Sequence, residues 1–298
     1  MSNILYLACP AFAMNTPLER QNNIDSATWV AREMGWTVSV SPLLERTMGN
    51  GAWLPLKERI ADLKRALQHE AIWACRGGYG SIELLETLLA AKARRKPMLI
   101  GYSDITALHA GFQTRGWHRQ IYGKIPAFAA RHGRQGASLM SALRGLPMQF
   151  DAHLHAGVRV LRPGRGQGRL FPACLSVLAS VCGSAAMPDL SDTILAIEDV
   201  RIHPFLMATH LHQLHLCGAL KGVRGLVGGT FTHLVDHDYW GPSPDDVLAE
   251  WGQRLKIPVI ARLPFGHLPD ALVLPFNRQT RITAAPDGDW RIVLAARD

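Results

Sequence analysis

Two hydrophobic periods alternate along the first half of the chain. Short apolar runs occur at ILYLACPA (4–11), TVSVSP (37–42), AIWAC (71–75) and PMLIG (97–101). Runs of this length, bounded by turn residues, suit strands buried on both faces. Between them lie stretches with apolar residues at helical spacing. Helices are predicted at 17–34, with Gly35 as the stop, then at PLKERIADLKRALQ (55–68), SIELLETLLAAKARR (81–95) and ITALHAGFQTR (105–115). Pro55 falls at a helix start, where the missing N–H costs nothing.

Repeated strand–helix pairs predict an α/β chain whose N-terminal domain holds a parallel sheet, flavodoxin-like or Rossmann-like. From about 145 to 168 the pattern breaks at Gly145, Pro147, Gly157, Pro163, Gly164, Gly166 and Gly168. Glycine and proline at this density predict a linker. The expected division is an N-terminal domain at 1–150, a linker at 151–168 and a C-terminal domain at 169–298. The second domain reads as smaller, mixed and β-rich. CLSVLASVCG and FLMATHLHQLHLCGAL are helical, TILAIEDV, GVRGLVGGTF and IPVIARLPF are strands, and LVLPFN, QTRITAA and DWRIVLAA alternate like antiparallel strands.

Composition narrows the function classes. Of 298 residues, 48% are hydrophobic and 19% charged, a globular balance that excludes disorder. A net charge of +8 suggests nucleic acid until its distribution is read. Ten cations (Arg115, Arg119, Lys124, Arg131, Arg134, Arg144, Arg159, Arg162, Arg165, Arg169) share one window with a single acid, Asp151. The remainder is near neutral. With no helix-turn-helix and no zinc knuckle, the window leaves a nucleic-acid binder only as a remote alternative. No apolar run reaches the roughly 20 residues a membrane span needs, and the apolar start reads as a first strand rather than a signal peptide. Five scattered cysteines without C-x-x-C spacing fit a reducing, cytoplasmic setting.

Candidate chemistry clusters at strand ends, where open α/β sheets place their ligands. In IGYSDITALH, Ser103 sits on a turn between strand and helix. Such a serine is either a helix N-cap or an exposed nucleophile, and the local pattern alone favours the cap. RGGYG, with Gly77, Gly78 and Gly80, is either a bare turn or a source of backbone donors for an oxyanion. It matches neither a P-loop nor G-x-G-x-x-G. Arg76 is placed to bind a carboxylate or simply to be solvated. Glu198 and Asp199 end a strand, so at most one faces a common site. His267 follows a strand beside Gly266. Serine, carboxylate and histidine at strand ends are the parts of a nucleophile–base–orienter set. Metal is the rival chemistry, at His210, His212 and His215 or at His233 and His237. With no H-E-x-x-H and no cysteine pair, no metal site is expected.

Taken in order, ACPA, ACRGGYGSIELL, IGYSDITALH, CLSVLASVCGSAAMPDL, TILAIEDVRIHPF, LVGGTF and IPVIARLPFGHLPDALVLPFN resemble the LD-carboxypeptidase family of serine peptidases over nearly the whole chain. That family comprises muramoyltetrapeptide carboxypeptidases and microcin C immunity peptidases. The resemblance implies Ser103 as nucleophile, His267 as general base, Glu198 as its orienting carboxylate, and the N–H groups of Gly78 and Asp104 as oxyanion donors. Arg76, Gly77 and Tyr102 would line the substrate site. It further implies a homodimer without cofactor, acting on murein tetrapeptides or UDP-linked muropeptides to release terminal D-alanine. The alternatives are an immunity-type amidase acting on peptidyl or aminoacyl nucleotides and, more remotely, a non-catalytic muropeptide- or nucleic-acid-binding protein. Three positions depart from the family pattern. Pro172-Ala173-Cys174 stands where Gly-Gly-Asn is usual, Lys124 follows Gly123 in place of proline, and an arginine is missing around Met207 to Thr209.

Overall fold

A computed structural model describes residues 3–48, 52–92, 95–128, 133–232 and 239–297. The first sheet contains β1 (Ile4–Ala8), β2 (Thr37–Val40), β3 (Ala71–Ala74), β4 (Met98–Gly101) and β5 (Gln120–Tyr122). These five are parallel and lie in the order β5-β4-β3-β1-β2. Read from β2, this is the flavodoxin-like doubly wound order. β1, β3, β4 and β5 are short and almost wholly buried, which is why their sequences are largely apolar runs, whereas the edge strand β2 is partly exposed.

The first-half helices are α1 (Pro17–Glu33), α2 (Leu56–Ala66), α3 (Leu85–Ala90), α4 (Thr106–Thr114) and α5 (Gly133–Arg144). Thr16 caps α1 through a bond from the Glu19 N–H, and Gly35 takes φ +66° beyond its end. The helix expected over 81–95 is much shorter. Ser81–Leu84 is a 3₁₀ turn, and α3 ends where Ala91 turns extended. Arg115 closes that end by donating to the carbonyls of Leu88, Leu89 and Ala91.

The second sheet contains β6 (Met148–Asp151), β7 (Arg159–Arg162), β8 (Gly164–Cys174), β9 (Thr193–Asp199), β10 (Gly225–Phe231), β11 (Val259–Ala261), β13 (Gln279–Ala284) and β14 (Trp290–Leu294). Their order is β6-β14-β13-β8-β9-β10-β11-β7. β8 to β11 run parallel, and antiparallel strands close both edges. Helices α6 (Leu175–Ser180), α7 (Pro204–Leu216) and α8 (Pro244–Leu255) accompany it.

Two expectations change. Most of 151–168 is not irregular linker, because β7 and the start of β8 occupy 159–162 and 164–168. The glycines there have a packing reason. A Cβ at Gly166 would overlap the Arg224 carbonyl, and one at Gly168 the Asp192 carbonyl, on adjacent backbone of the same chain. LVLPFN, expected with the other C-terminal strands, instead supplies β12 (Leu274–Pro275), which pairs antiparallel with β5 and completes the first sheet at six strands. The second sheet, with eight strands, is the larger of the two.

The basic window is not one surface. Arg134, Arg144 and Arg159 pair with Asp270, Glu33 and Asp245, and Arg115 caps α3. Arg131 lies outside the described residues. The sulfurs of Cys182 and Cys217, far apart in sequence, sit 2.9 Å apart with both thiols free. Among the described residues, no helix is long and apolar enough to cross a membrane.

Candidate active site

Ser103 stands just past the carboxyl end of β4 with φ +60°, a conformation that non-glycine residues seldom adopt. The turn that imposes it is tight. A Cβ at position 101 would fall 2.6 Å from Ile105 Cγ2, so the glycine before the turn is required. Ile105 N–H closes it by donating to the Tyr102 carbonyl at 3.1 Å. Ser103 is therefore not the helix N-cap that its local sequence favours. Ser103 opens a 3₁₀ turn, Ser103–Ile105, Ile105 holds the cap position of α4, and the serine hydroxyl is turned elsewhere.

That hydroxyl meets His267. Ser103 Oγ lies 3.0 Å from His267 Nε2, and His267 Nδ1 lies 2.7 Å from Glu198 Oε2. Sequence reasoning named these three residues, and the fold brings them together from β4, β9 and the segment after β11. Glu198 is fully buried. Burial pushes its carboxyl up, while hydrogen bonds from His267 and Tyr122 pull it back. With Glu198 accepting at Nδ1, the imidazole keeps its lone pair at Nε2, facing the serine. A hydroxyl, a base and an orienting carboxylate in this order are what covalent acyl transfer requires.

Asp199, the next residue on β9, points the other way. Its carboxylate accepts from the Ser176 N–H at 2.8 Å and from Cys174 Sγ. Strand alternation thus separates the two acids, as the sequence predicts.

Tyr122 is the residue that sequence reasoning missed. Its hydroxyl donates to Glu198 Oε1 at 2.5 Å and accepts from the Ser103 N–H at 3.1 Å. One phenol thus ties the strained turn to the buried carboxylate, and both oxygens of Glu198 are occupied. No motif marks it, because it is one apolar-run residue among many in QIYGK.

The glycine turn after β3 lies alongside. A Cβ at Gly77 would sit 3.4 Å from Ser103 Cβ, and one at Gly78, where φ is +113°, would overlap the Phe12 ring. Buried Arg59, also missed, holds the turn by donating to the Gly80 carbonyl at 2.7 Å while pairing with Glu83. Asp104 Oδ2 accepts from the Ser81 N–H at 2.9 Å, and burial raises its carboxyl. Tyr102 packs on the His267 ring at 4.9 Å. Its hydroxyl is pushed up to about 12, by burial first and then by the Glu198 charge. Arg76 pairs with Glu19 at 2.5 Å, so it enters the site already partnered.

Lys124, one of the departures, reaches the site's far side. Its ammonium donates to the Leu268 carbonyl at 3.1 Å and braces the segment that carries His267. Pro172, Ala173 and Cys174 are all buried in β8, with Cys174 paired in register to Glu198, and Met207 is buried on α7. Pro172, Ala173, Cys174 and Met207 are thus turned away from solvent, whereas Thr209 is exposed. His210, His212 and His215 lie on α7, and the described residues contain no cluster of three metal-ligating side chains. His233 and His237 are outside the described residues.

Gly266 is indispensable to this arrangement. At φ +102° it lies so close to the carboxylate that a Cβ would overlap Glu198 Oε2. Gly266→Ala is expected to lower unfolding free energy by about 2 kcal/mol or more, from positive-φ strain plus the clash. Urea midpoints of the variant and parent measure it.

Comparison with known proteins gives the family. Residues 6–123 match the model of the LD-carboxypeptidase N-terminal domain, and residues 167–282 match that of its C-terminal domain. A Streptomyces coelicolor chain named a "putative carboxypeptidase" is 30% identical over 236 residues, 76% of this chain and 74% of its own. The chain belongs to the LD-carboxypeptidase family. Another member, the murein tetrapeptide carboxypeptidase of Pseudomonas aeruginosa, is 25% identical over 75% of this chain and 76% of its own. Two solved structures share the fold. The muramoyltetrapeptide carboxypeptidase of Oxalobacter formigenes superposes with a TM-score of 0.78 at 22% identity, covering 98% of this chain and 99% of that one. An MccF-like protein of Bacillus anthracis does so with a TM-score of 0.80 at 20% identity, covering 99% and 97%. Membership of this family makes the chain a peptidase.

Proposed function

We propose that this peptidase is a serine LD-carboxypeptidase that releases D-alanine from murein tetrapeptides. The observation that carries the reading is the unbroken line from Ser103 Oγ through His267 to Glu198, at 3.0 and 2.7 Å. Family membership and the name of the Pseudomonas relative supply the substrate class.

In this mechanism Ser103 Oγ attacks the carbonyl carbon between the L-centre of the diamino acid and D-alanine. His267 Nε2 takes the hydroxyl proton, and Glu198 stabilises the imidazolium. The N–H groups of Gly78 and Asp104 receive the oxyanion, a contribution worth about 10²–10³ in kcat per donor. His267 then returns the proton to the departing D-alanine amine, and water repeats the cycle on the acyl-enzyme to free the tripeptide. Gly77, without a side chain, lets the substrate backbone approach. Tyr102 walls the cleft, and Arg76, poised by Glu19, takes the terminal carboxylate.

The test is incubation with a disaccharide- or UDP-linked tetrapeptide, with D-alanine followed by mass spectrometry. The likeness to the MccF-like fold supports a second reading, an amidase acting on peptidyl or aminoacyl nucleotides. Turnover of such a nucleotide without D-alanine release from tetrapeptide would replace the first reading with the second.

Tyr122→Phe tests the tie between turn and carboxylate. It leaves a buried carboxylate oxygen and the Ser103 N–H each short of a partner. Turnover is expected to fall about 10- to 100-fold, as for the loss of 1–3 kcal/mol. Glu198 also loses a donor that pulls its carboxyl down, so it protonates at higher pH. The acid limb of the kcat/KM profile should therefore move up in pH, and an unmoved limb would make Tyr122 merely structural.

A further inference from the structure

A second cavity lies at the opposite ends of the strands. Its volume is about 550 Å³, and it is bordered by Met98 and Gln120 at the starts of β4 and β5, by Arg169 in β8 and by Phe276 after β12. Ser103 and Tyr122 mark the other ends of β4 and β5, so the two sites occupy opposite faces of the fold. The size falls within the range of roughly 300–1,000 Å³ typical of small-molecule pockets.

The lining is cationic. Arg119, Arg169, Arg278 and Arg297 border it with His118, and its described lining contains no carboxylate. Two of these cations come from the basic window in the sequence that the catalytic reading leaves unused. Arg278 is buried and donates to the carbonyls of Leu146 and Ala295, which sets the floor. The amides beside it are occupied with one another. Gln113 and Asn277 exchange hydrogen bonds at 2.7 and 2.9 Å, and Gln120 donates to Gln113 and to the Trp117 carbonyl.

Arg119 and Arg297 are close enough for the like charge, after burial, to lower the Arg119 guanidinium from its ordinary range. Arg169 and Lys96 act likewise on His118, again after burial. Asp189, outside the lining, feels Arg169, but its carboxylate is engaged by the N–H and hydroxyl of Ser191. Cations gathered around a cavity repel one another until an anion enters. Guanidinium forks match phosphate oxygens two at a time. Met98, Ile121, Pro275 and Phe276 add an apolar wall that a bare inorganic ion would leave unused.

We propose that this cavity is a second ligand site, which takes a small organic phosphate on Arg119, Arg169 and Arg297 with its apolar portion against Phe276 and Pro275. It is separate from the hydrolytic site, and its occupancy is read by binding alone.

Calorimetric titration at fixed ionic strength tests it, with pyrophosphate, a nucleoside 5′-diphosphate and citrate as probes of the full chain. The diphosphate ester is expected to bind tightest, pyrophosphate more weakly and citrate least. In Arg119→Gln/Arg297→Gln its affinity should drop at least about tenfold, as for lost charge-assisted hydrogen bonds. Release of D-alanine without probe should match the parent. Arg297→Gln alone, at an exposed position, serves if the double variant loses its cooperative melt. Binding no stronger than to chloride, binding undiminished by these variants, or citrate binding as tightly as the ester would each overturn the assignment.

Discussion

Ser103→Ala is expected to abolish D-alanine release, lowering kcat by about 10⁴- to 10⁶-fold, the scale seen when a serine hydrolase loses its nucleophile. The substitution removes one oxygen and leaves the turn intact. Alanine bears the same φ strain as serine, and the bonds that hold the turn come from backbone N–H groups and Tyr122. The thermal midpoint should therefore stay close to the parent's while turnover vanishes. Mass-spectrometric assay of D-alanine beside a melting curve separates the two effects. Activity persisting within tenfold of the parent would remove Ser103 from the chemistry and leave His267 and Glu198 without a nucleophile to serve.

Glu198→Gln has the next largest expected effect, a loss of about 10³- to 10⁴-fold, of the size found when a triad carboxylate becomes an amide. The size follows from the two bonds the carboxylate accepts. Tyr122 donates to Oε1 and His267 donates to Oε2. An amide has one acceptor end. If its oxygen stays with Tyr122, its NH₂ faces His267 Nδ1, which must then accept. The ring proton moves to Nε2, and the lone pair needed by Ser103 is gone. If the amide flips, His267 keeps its tautomer but the Tyr122 hydroxyl meets a donor at both of its protein neighbours. Either orientation misplaces one proton in a buried site, where unpaired groups are costly. Recovery of the parent rate at any pH would show that Glu198 acts only as packing. Steady-state rates across pH, with near-ultraviolet circular dichroism as a fold control, decide it.

Much of this site was legible because each of its three residues sits at a strand end beside a turn signal. IGYSD, AIEDV and LPFGH each join a buried apolar run to a glycine or a polar cap, and the doubly wound pattern places such ends together. Tyr122 and Arg59 were not legible for a physical reason. Their roles depend on convergence across long sequence separations, Tyr122 to Glu198 and Arg59 to Gly80, which no local period encodes. The choice between cap and nucleophile at Ser103 likewise rests on a backbone dihedral that neighbouring residue types permit but do not specify. In the fold, α8 carries its own start and stop signals. Ser243 and Asp246 form a reciprocal capping box, and Lys256 ends the helix in the left-handed region. The 151–168 segment misled in the opposite sense. Gly166 and Gly168, which read as flexible punctuation, are small because neighbouring backbone crowds them.

The pairing of β12 with β5 has a consequence for folding. The first sheet cannot close its edge with its own half of the chain. Leu274 and Pro275 must return, after six strands of the second sheet (β6 to β11), to meet Tyr122 and Ile121. Such a long-range closure is entropically late, so it belongs among the slow steps of assembly. His267 rides on the same returning segment, between β11 in one sheet and β12 in the other. In the proposed mechanism the base therefore reaches the serine as this strand docks, and a partly assembled chain would carry a nucleophile that has nothing to activate it. Hydrolytic competence and completion of the first sheet should appear together in a refolding time course, as one kinetic phase.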